Sequence, residues 1–114
     1  MPQIVYEDFE KVELRVGKII SAEDFPEARK PAYRLKIDFG DEIGLKRSSA
    51  QLTIRYTKED LINRKVIAVV NFPPKQIANF VSEVLVLGVS DSGGGIILLS
   101  LENEQDAPIG ARVH

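Results

Sequence analysis

Lys46-Arg47-Ser48-Ser49-Ala50-Gln51 sets two cations, two hydroxyls and a carboxamide within six residues. A second polar group follows: Asn71, Phe72, the Pro73-Pro74 pair, Lys75, and then Ser82-Glu83. Cations so placed meet phosphates or carboxylates, while hydroxyl and amide groups supply adaptable hydrogen bonds. That is the chemistry of binding. Bond-making chemistry has little to draw on, since the one histidine is His114 and there is no cysteine. A nucleophile therefore lacks its usual base, and a thiolate metal site cannot form. Asp41-Glu42 and Glu59-Asp60 are adjacent pairs that diverge on a strand or lie in loops, and Gly93-Gly94-Gly95 lacks the lysine and spacing of a phosphate loop. The sequence reads as a non-enzyme without cofactor or metal.

The charge is uneven along the chain. Residues 1–27 carry three basic and seven acidic side chains, residues 28–75 eleven and five, and residues 76–114 one and five. A basic middle between acidic ends suits an anionic partner meeting one face. The 44% apolar and 28% charged fractions are those of an ordinary soluble domain, and 114 residues make one, spanning 1–114. No run is long enough to cross a bilayer and no signal pattern opens the chain, so no membrane insertion is expected. With no cysteine, the expected location is cytoplasmic.

Strands must position these groups. Val12, Leu14 and Val16 alternate with Glu13 and Arg15 as a half-buried strand; Gly17 then breaks the phase, as at a bulge or bend. Tyr33, Leu35, Ile37 and Phe39 alternate with Arg34, Lys36 and Asp38, the cleanest period-two signal present. Gly40-Asp41-Glu42 turns the chain into a returning strand from Ile43. Thr57 and Asp60 form a capping box for a short helix reaching about Asn63, and Val66–Val70 is a continuous apolar strand. That strand stops at Pro73-Pro74, which lack donors. Asn79 suits a left-handed turn residue. Val84–Val89 and Ile96–Leu101 follow, separated by the glycine turn. A bent first strand and a helix between the third and fourth strands describe an all-β, five-stranded OB-fold barrel. An SH3-like barrel would not need that helix.

The last two strands are apolar on both faces, yet a small barrel has one interior. One set must face outward and be covered. The expectation is a homodimer formed through these extra C-terminal strands; the alternative is that the tail from Glu102 to His114 folds over them.

OB folds bind along the second and third strands and the flanking loops. Arg34, Lys36, Lys46, Arg47, Ser48, Ser49, Gln51 and Lys75 are the groups there. Tyr33 and Phe39 belong to the core face, so Tyr56, Phe72 and Phe80 are the available aromatics, each better read as packing than as a base platform. That shortage argues against single-strand binding by stacking, and leaves shape-based RNA recognition or an extended peptide.

Three stretches carry a resemblance: DFEKVELRVGKIISAEDFPEARKPAYRLKIDFG, EIGLKRSSAQLT and NFPPKQIANFVSEVLVLGV, together about residues 8–89. In these the chain resembles the tRNA-binding-domain family, and most of all its CsaA-type members, described as export-related chaperones. The resemblance implies an OB fold, a homodimer, and binding of unfolded or secretory polypeptide or of the folded corner of tRNA. Its ligand surface falls on Lys46 to Gln51, Asn71, Lys75 and Ser82, to which charge and placement add Lys30 and Arg34. Two positions depart from the pattern: Lys75 is followed by Gln76 where tRNA-binding relatives carry a second basic residue, and Asn79 stands where glycine is usual.

Overall fold

A computed structural model describes residues 1–114. The elements in chain order are α1 (Tyr6–Glu10), β1 (Leu14–Asp24), β2 (Tyr33–Asp38), α2 (Gly40–Ile43), β3 (Leu45–Ala50), α3 (Lys58–Leu61), β4 (Lys65–Val69), β5 (Lys75–Ile77), β6 (Phe80–Ser82), β7 (Leu85–Val86), β8 (Gly88–Ser90) and β9 (Ile96–Leu98). The main sheet is antiparallel with order β3-β2-β1-β4-β7, and β5-β6 and β8-β9 form two separate ribbons. This is the nearly closed five-stranded barrel that the pattern predicts, with α3 between the third and fourth strands.

The alternation in β2 translates directly into burial: Tyr33, Leu35 and Ile37 point inward while Lys36 is exposed. They join Ile19, Phe39, Val66 and Ala68 in the core, and Leu61 of α3 plugs one end, fully buried. The capping box that starts α3 is present in both directions. Thr57 Oγ1 accepts from the Asp60 N–H at 3.2 Å, and the Thr57 N–H donates to Asp60 Oδ2 at 2.9 Å. The helix is shorter than expected and ends at Leu61, because Asn63 takes a positive φ of 68° and turns the chain into β4.

The bend in β1 lies three residues beyond its expected place. Ile19 pairs with Ile37 and Ser21 with Lys36, so Ile20 is the extra residue of the bulge. Gly17 serves close packing instead. A Cβ there would lie 2.5 Å from the Phe39 ring and 2.6 Å from Ile37. Similarly, the left-handed residue after β5 is Ala78 (φ 50°), not Asn79.

The Val84–Val89 run is two short strands in different sheets rather than one. Its two-faced character is nevertheless real. Val84 and Leu98 are buried, whereas Leu85 (49% exposed), Val89 (53%), Ile97 (38%) and Leu99 (38%) face outward. The tail does not cover them. It runs along β1, with the Gly110 N–H donating to Val16 O, Val16 N–H to Ala111 O, and Val113 N–H to Leu14 O. Lys65 Nζ anchors it further by donating to the Glu104 and Ala107 carbonyls.

The barrel closes between β3 and residues 82–84 mostly through side chains. One backbone bond, Glu83 N–H to Arg47 O at 2.8 Å, spans the seam. The Arg47 N–H donates to Glu83 Oε1 at 3.0 Å, and the Ser49 N–H donates to Ser82 Oγ at 3.0 Å. From the core side, Ser48 Oγ donates to Val84 O at 2.9 Å. The Ser82-Glu83 pair is thus the staple of the seam: its oxygens satisfy edge donors that no strand reaches.

Candidate ligand-binding site

Outside the barrel, the β1–β2 loop and the β5–β6 hairpin meet over the outer face of β2 and β3. Phe25, Ala32 and Phe80 bury one another there as a second small core, with Ala28 and Ile77 packed against it. The two rings stand edge to face at 5.4 Å. Arg34 lies over Phe25 at 5.6 Å and Arg47 over Phe80 at 5.5 Å, giving a ladder of arginine, two rings and arginine. Arg47 is further held by Glu83 at 3.5 Å. Arg34 Nε is buried in this ladder without a hydrogen-bond partner. These contacts hold the β1–β2 loop and the hairpin against the sheet, and Glu83 offsets the like charges of Lys36 and Arg47 paired across β2 and β3.

Beside the ladder runs a trough of two connected hollows. The first, about 600 Å³, is lined by Glu27, Arg29, Lys30, Ser49, Gln51, the three residues of β5 and Ala78. The second, about 400 Å³, is lined by Phe72, Pro73, Ser82, Glu83 and Leu85, and shares Ser49, Gln51, Lys75 and Ile77 with the first. Three cations and one carboxylate, Glu27, stand in the first hollow; the second sets Phe72, Pro73, Ile77, Val84 and Leu85 beside Lys75 and Glu83. Phe72, 52% exposed, is the one aromatic in the lining of the trough. Phe80 is packed, and Tyr56 lies under Arg64 at 5.1 Å while its hydroxyl accepts the Leu98 N–H.

Five of the ten expected residues line this trough: Lys30, Ser49, Gln51, Lys75 and Ser82. The other five lie elsewhere. Ser48 faces the core, 1% exposed, because neighbours on a strand point to opposite faces. Lys46 pairs with Ile37 and shares the face of Ser48, so it points away from Ser49. The Asn71 carboxamide clasps the N-terminal segment, accepting from the Glu13 N–H at 2.9 Å and donating to the Lys11 carbonyl at 2.7 Å. Arg34 and Arg47 belong to the ladder. Glu27, Arg29, Ile77 and Leu85 were not expected at the site. The Arg29-Lys30 pair announced itself as charge in a loop, but nothing local said that this loop faces Lys75.

No group of three or more histidine, cysteine or acidic side chains stands close enough to hold a metal ion. No helix is long and apolar enough to cross a membrane. Hydrogen-bonding, charge pairing and apolar contact are what this arrangement offers.

Comparison with known proteins agrees with this architecture. The family described as "Putative tRNA binding domain" matches residues 14–112. The CsaA chaperone protein from Picrophilus torridus is 55% identical with a TM-score of 0.90, covering 98% of this chain and 100% of that one. The chaperone CsaA from Bacillus anthracis str. Ames is 50% identical with a TM-score of 0.91, covering 99% and 100%. The methionine--tRNA ligase of Thermococcus onnurineus (strain NA1) is 37% identical over 110 residues, 96% of this chain but 14% of the ligase. The chain thus spans about a seventh to a sixth of the ligases it matches. With its barrel, its matched length and its identity to these structures, the chain belongs to the tRNA-binding-domain family and to the CsaA-type proteins within it.

Proposed function

We propose that this protein is a non-catalytic, CsaA-like homodimeric chaperone that holds unfolded or pre-secretory polypeptides in the trough. The observation that carries this reading is the mixed lining. Glu27 shares the first hollow with Arg29, Lys30 and Lys75, Glu83 lines the second, and Phe72, Pro73, Ile77 and Leu85 supply apolar wall. A polyphosphate has nothing to set against that apolar wall, whereas a polypeptide brings charge and apolar side chains together. Full-length likeness to two CsaA chaperones supports it as well. A cytoplasmic location accompanies this reading.

Dimerisation would cover the outward apolar side chains of the β8–β9 ribbon and its end, Val89 paired with Ile97, and Leu99. Sedimentation of the unaltered protein and of a Val89→Asp, Ile97→Asp variant tests it. A dimer that the variant disrupts is expected; a monomer at micromolar concentration refutes it.

Structural recognition of tRNA is the second reading, favoured by the family match and by the three cations of the first hollow. Binding of a labelled reduced, unfolded protein and of bulk tRNA should be titrated against salt. The chaperone reading expects a shallow salt slope and competition by unfolded protein. A slope worth several released counterions, with tRNA displacing the peptide signal, would transfer the function to RNA.

A further inference from the structure

The hairpin over the trough leaves one strand edge open. β6 lies between β5 and the seam with β3, whereas β5 has β6 as its one strand partner. Register decides which groups of β5 are free. Ile77 and Phe80 flank a two-residue turn and exchange hydrogen bonds across it, as do Lys75 and Ser82. The N–H and C=O of Gln76, between them, must then point away from β6. No backbone bond runs from Gln76 to a turn or loop, and its carboxamide folds back to donate to the Ala78 carbonyl at 2.8 Å. Every residue of β5 is at least partly exposed, and all three line the first hollow.

An unpaired edge beside a cavity is a template for another strand. The lining says what that strand carries: Arg29, Lys30 and Lys75 stand there against one carboxylate, Glu27. We infer that a bound polypeptide is held as an added β-strand on the outer edge of β5, hydrogen-bonded to the main chain of Gln76, with acidic side chains directed at Arg29, Lys30 and Lys75. This deepens the chaperone reading and rests on it. Main-chain pairing is indifferent to sequence, which suits a protein with many clients. The cations then favour acidic segments among them.

The probe is a fluorescent peptide of about ten residues alternating valine and aspartate, which at about 3.3 Å per residue overspans β5. Single backbone N-methylations along it are the first arm. Those that remove a donor or clash at the Gln76 edge should weaken binding about tenfold while their neighbours leave it unchanged. The second arm alters the protein. Gln76→Pro removes the free donor and keeps the β6 pairing, since edge strands accept proline where the N–H faces outward. It should bind about tenfold more weakly, while Gln76→Ala binds like the unaltered protein. Replacing aspartate by lysine in the peptide should also cost about tenfold or more. Peptide binding that ignores every N-methyl group and Gln76→Pro overturns strand addition but leaves the chaperone reading standing. Equal affinity for the lysine peptide overturns the acidic preference. No peptide binding by the unaltered protein overturns both the inference and the function beneath it.

Discussion

Ser48 and Ser49 are adjacent hydroxyls of one strand, and replacing each by alanine should separate the fold from the site. Ser48 Oγ is buried and donates to the Val84 carbonyl at 2.9 Å, and Val84 is itself buried. Ser48→Ala removes that donor from a site where water does not enter. A neutral hydrogen bond contributes about 1 kcal/mol, and a carbonyl left without its donor adds a desolvation penalty, so the loss is about 2 kcal/mol. For a 114-residue chain each kcal/mol lowers the thermal midpoint by about 4 °C, giving a fall of about 8 °C. Ser49 points the other way, into the trough, and its hydroxyl makes no hydrogen bond within the protein; the bond at this residue is its N–H to Ser82 Oγ. Ser49→Ala should therefore leave stability within about 0.5 kcal/mol and weaken ligand binding about fivefold. Circular-dichroism melts and fluorescence anisotropy with the peptide probe read the two effects. If Ser48→Ala melts with the unaltered protein, or Ser49→Ala lowers the midpoint as much as Ser48→Ala, the assignment of faces on β3 is wrong.

Gly17→Ala should cost about 3 kcal/mol, since its Cβ would overlap the Phe39 ring at 2.5 Å and Ile37 at 2.6 Å, both immobile in the core; a urea midpoint close to that of the unaltered protein would refute it. Ala78→Gly should stabilise by about 0.5 kcal/mol, because relief of a positive φ of 50° outweighs the added freedom of the unfolded chain. Asn79→Gly, at a position without positive φ, should not, and the two melting curves decide. Stability should decline in acid. Glu13 is held below the usual carboxylate range chiefly by Arg15, Asp60 by the Thr57 N–H and hydroxyl, and Asp91 by Arg55 and the N–H groups of Gly95 and Gly93. Each folded-state pKa is depressed, so the stabilisation is complete above the ordinary carboxylate values and disappears as pH falls through the folded ones. Urea midpoints measured from neutral pH downward should fall below about pH 4.5. Asp91→Asn should flatten part of that slope; an unchanged slope would exclude Asp91 from it.

Several features were legible because they are local. The alternation of Tyr33 to Phe39 identified both faces of β2, and Thr57 with Asp60 marked the start of α3. The bulge was misplaced for an equally local reason: Ile19 and Ile20 are both apolar, so hydropathy does not say which one points inward. Pairing with β2 makes that choice, with Ile19 opposite Ile37 and Ile20 left over. Half of the candidate residues fall on the trough. Lys30, Ser49, Gln51, Lys75 and Ser82 share chemistry with Lys46, Ser48 and Asn71, and residue type alone did not separate them.

From its order of residues alone, this chain determined most of β1 to β4, the capped start of α3, the corner at Pro73-Pro74 and the surplus of apolar surface near the C-terminus. Those depend on alternation, backbone restriction and short-range hydrogen bonds, which act between near neighbours. Tertiary structure alone decided which serine of β3 meets solvent, that Arg34 and Arg47 clamp the hairpin, and that Arg29 and Lys30 confront Lys75 across the trough. Burial is non-directional, so it rewards any closure that hides the apolar faces. The particular closure comes from the register of distant strands and from the seam held by Ser48, Ser82 and Glu83.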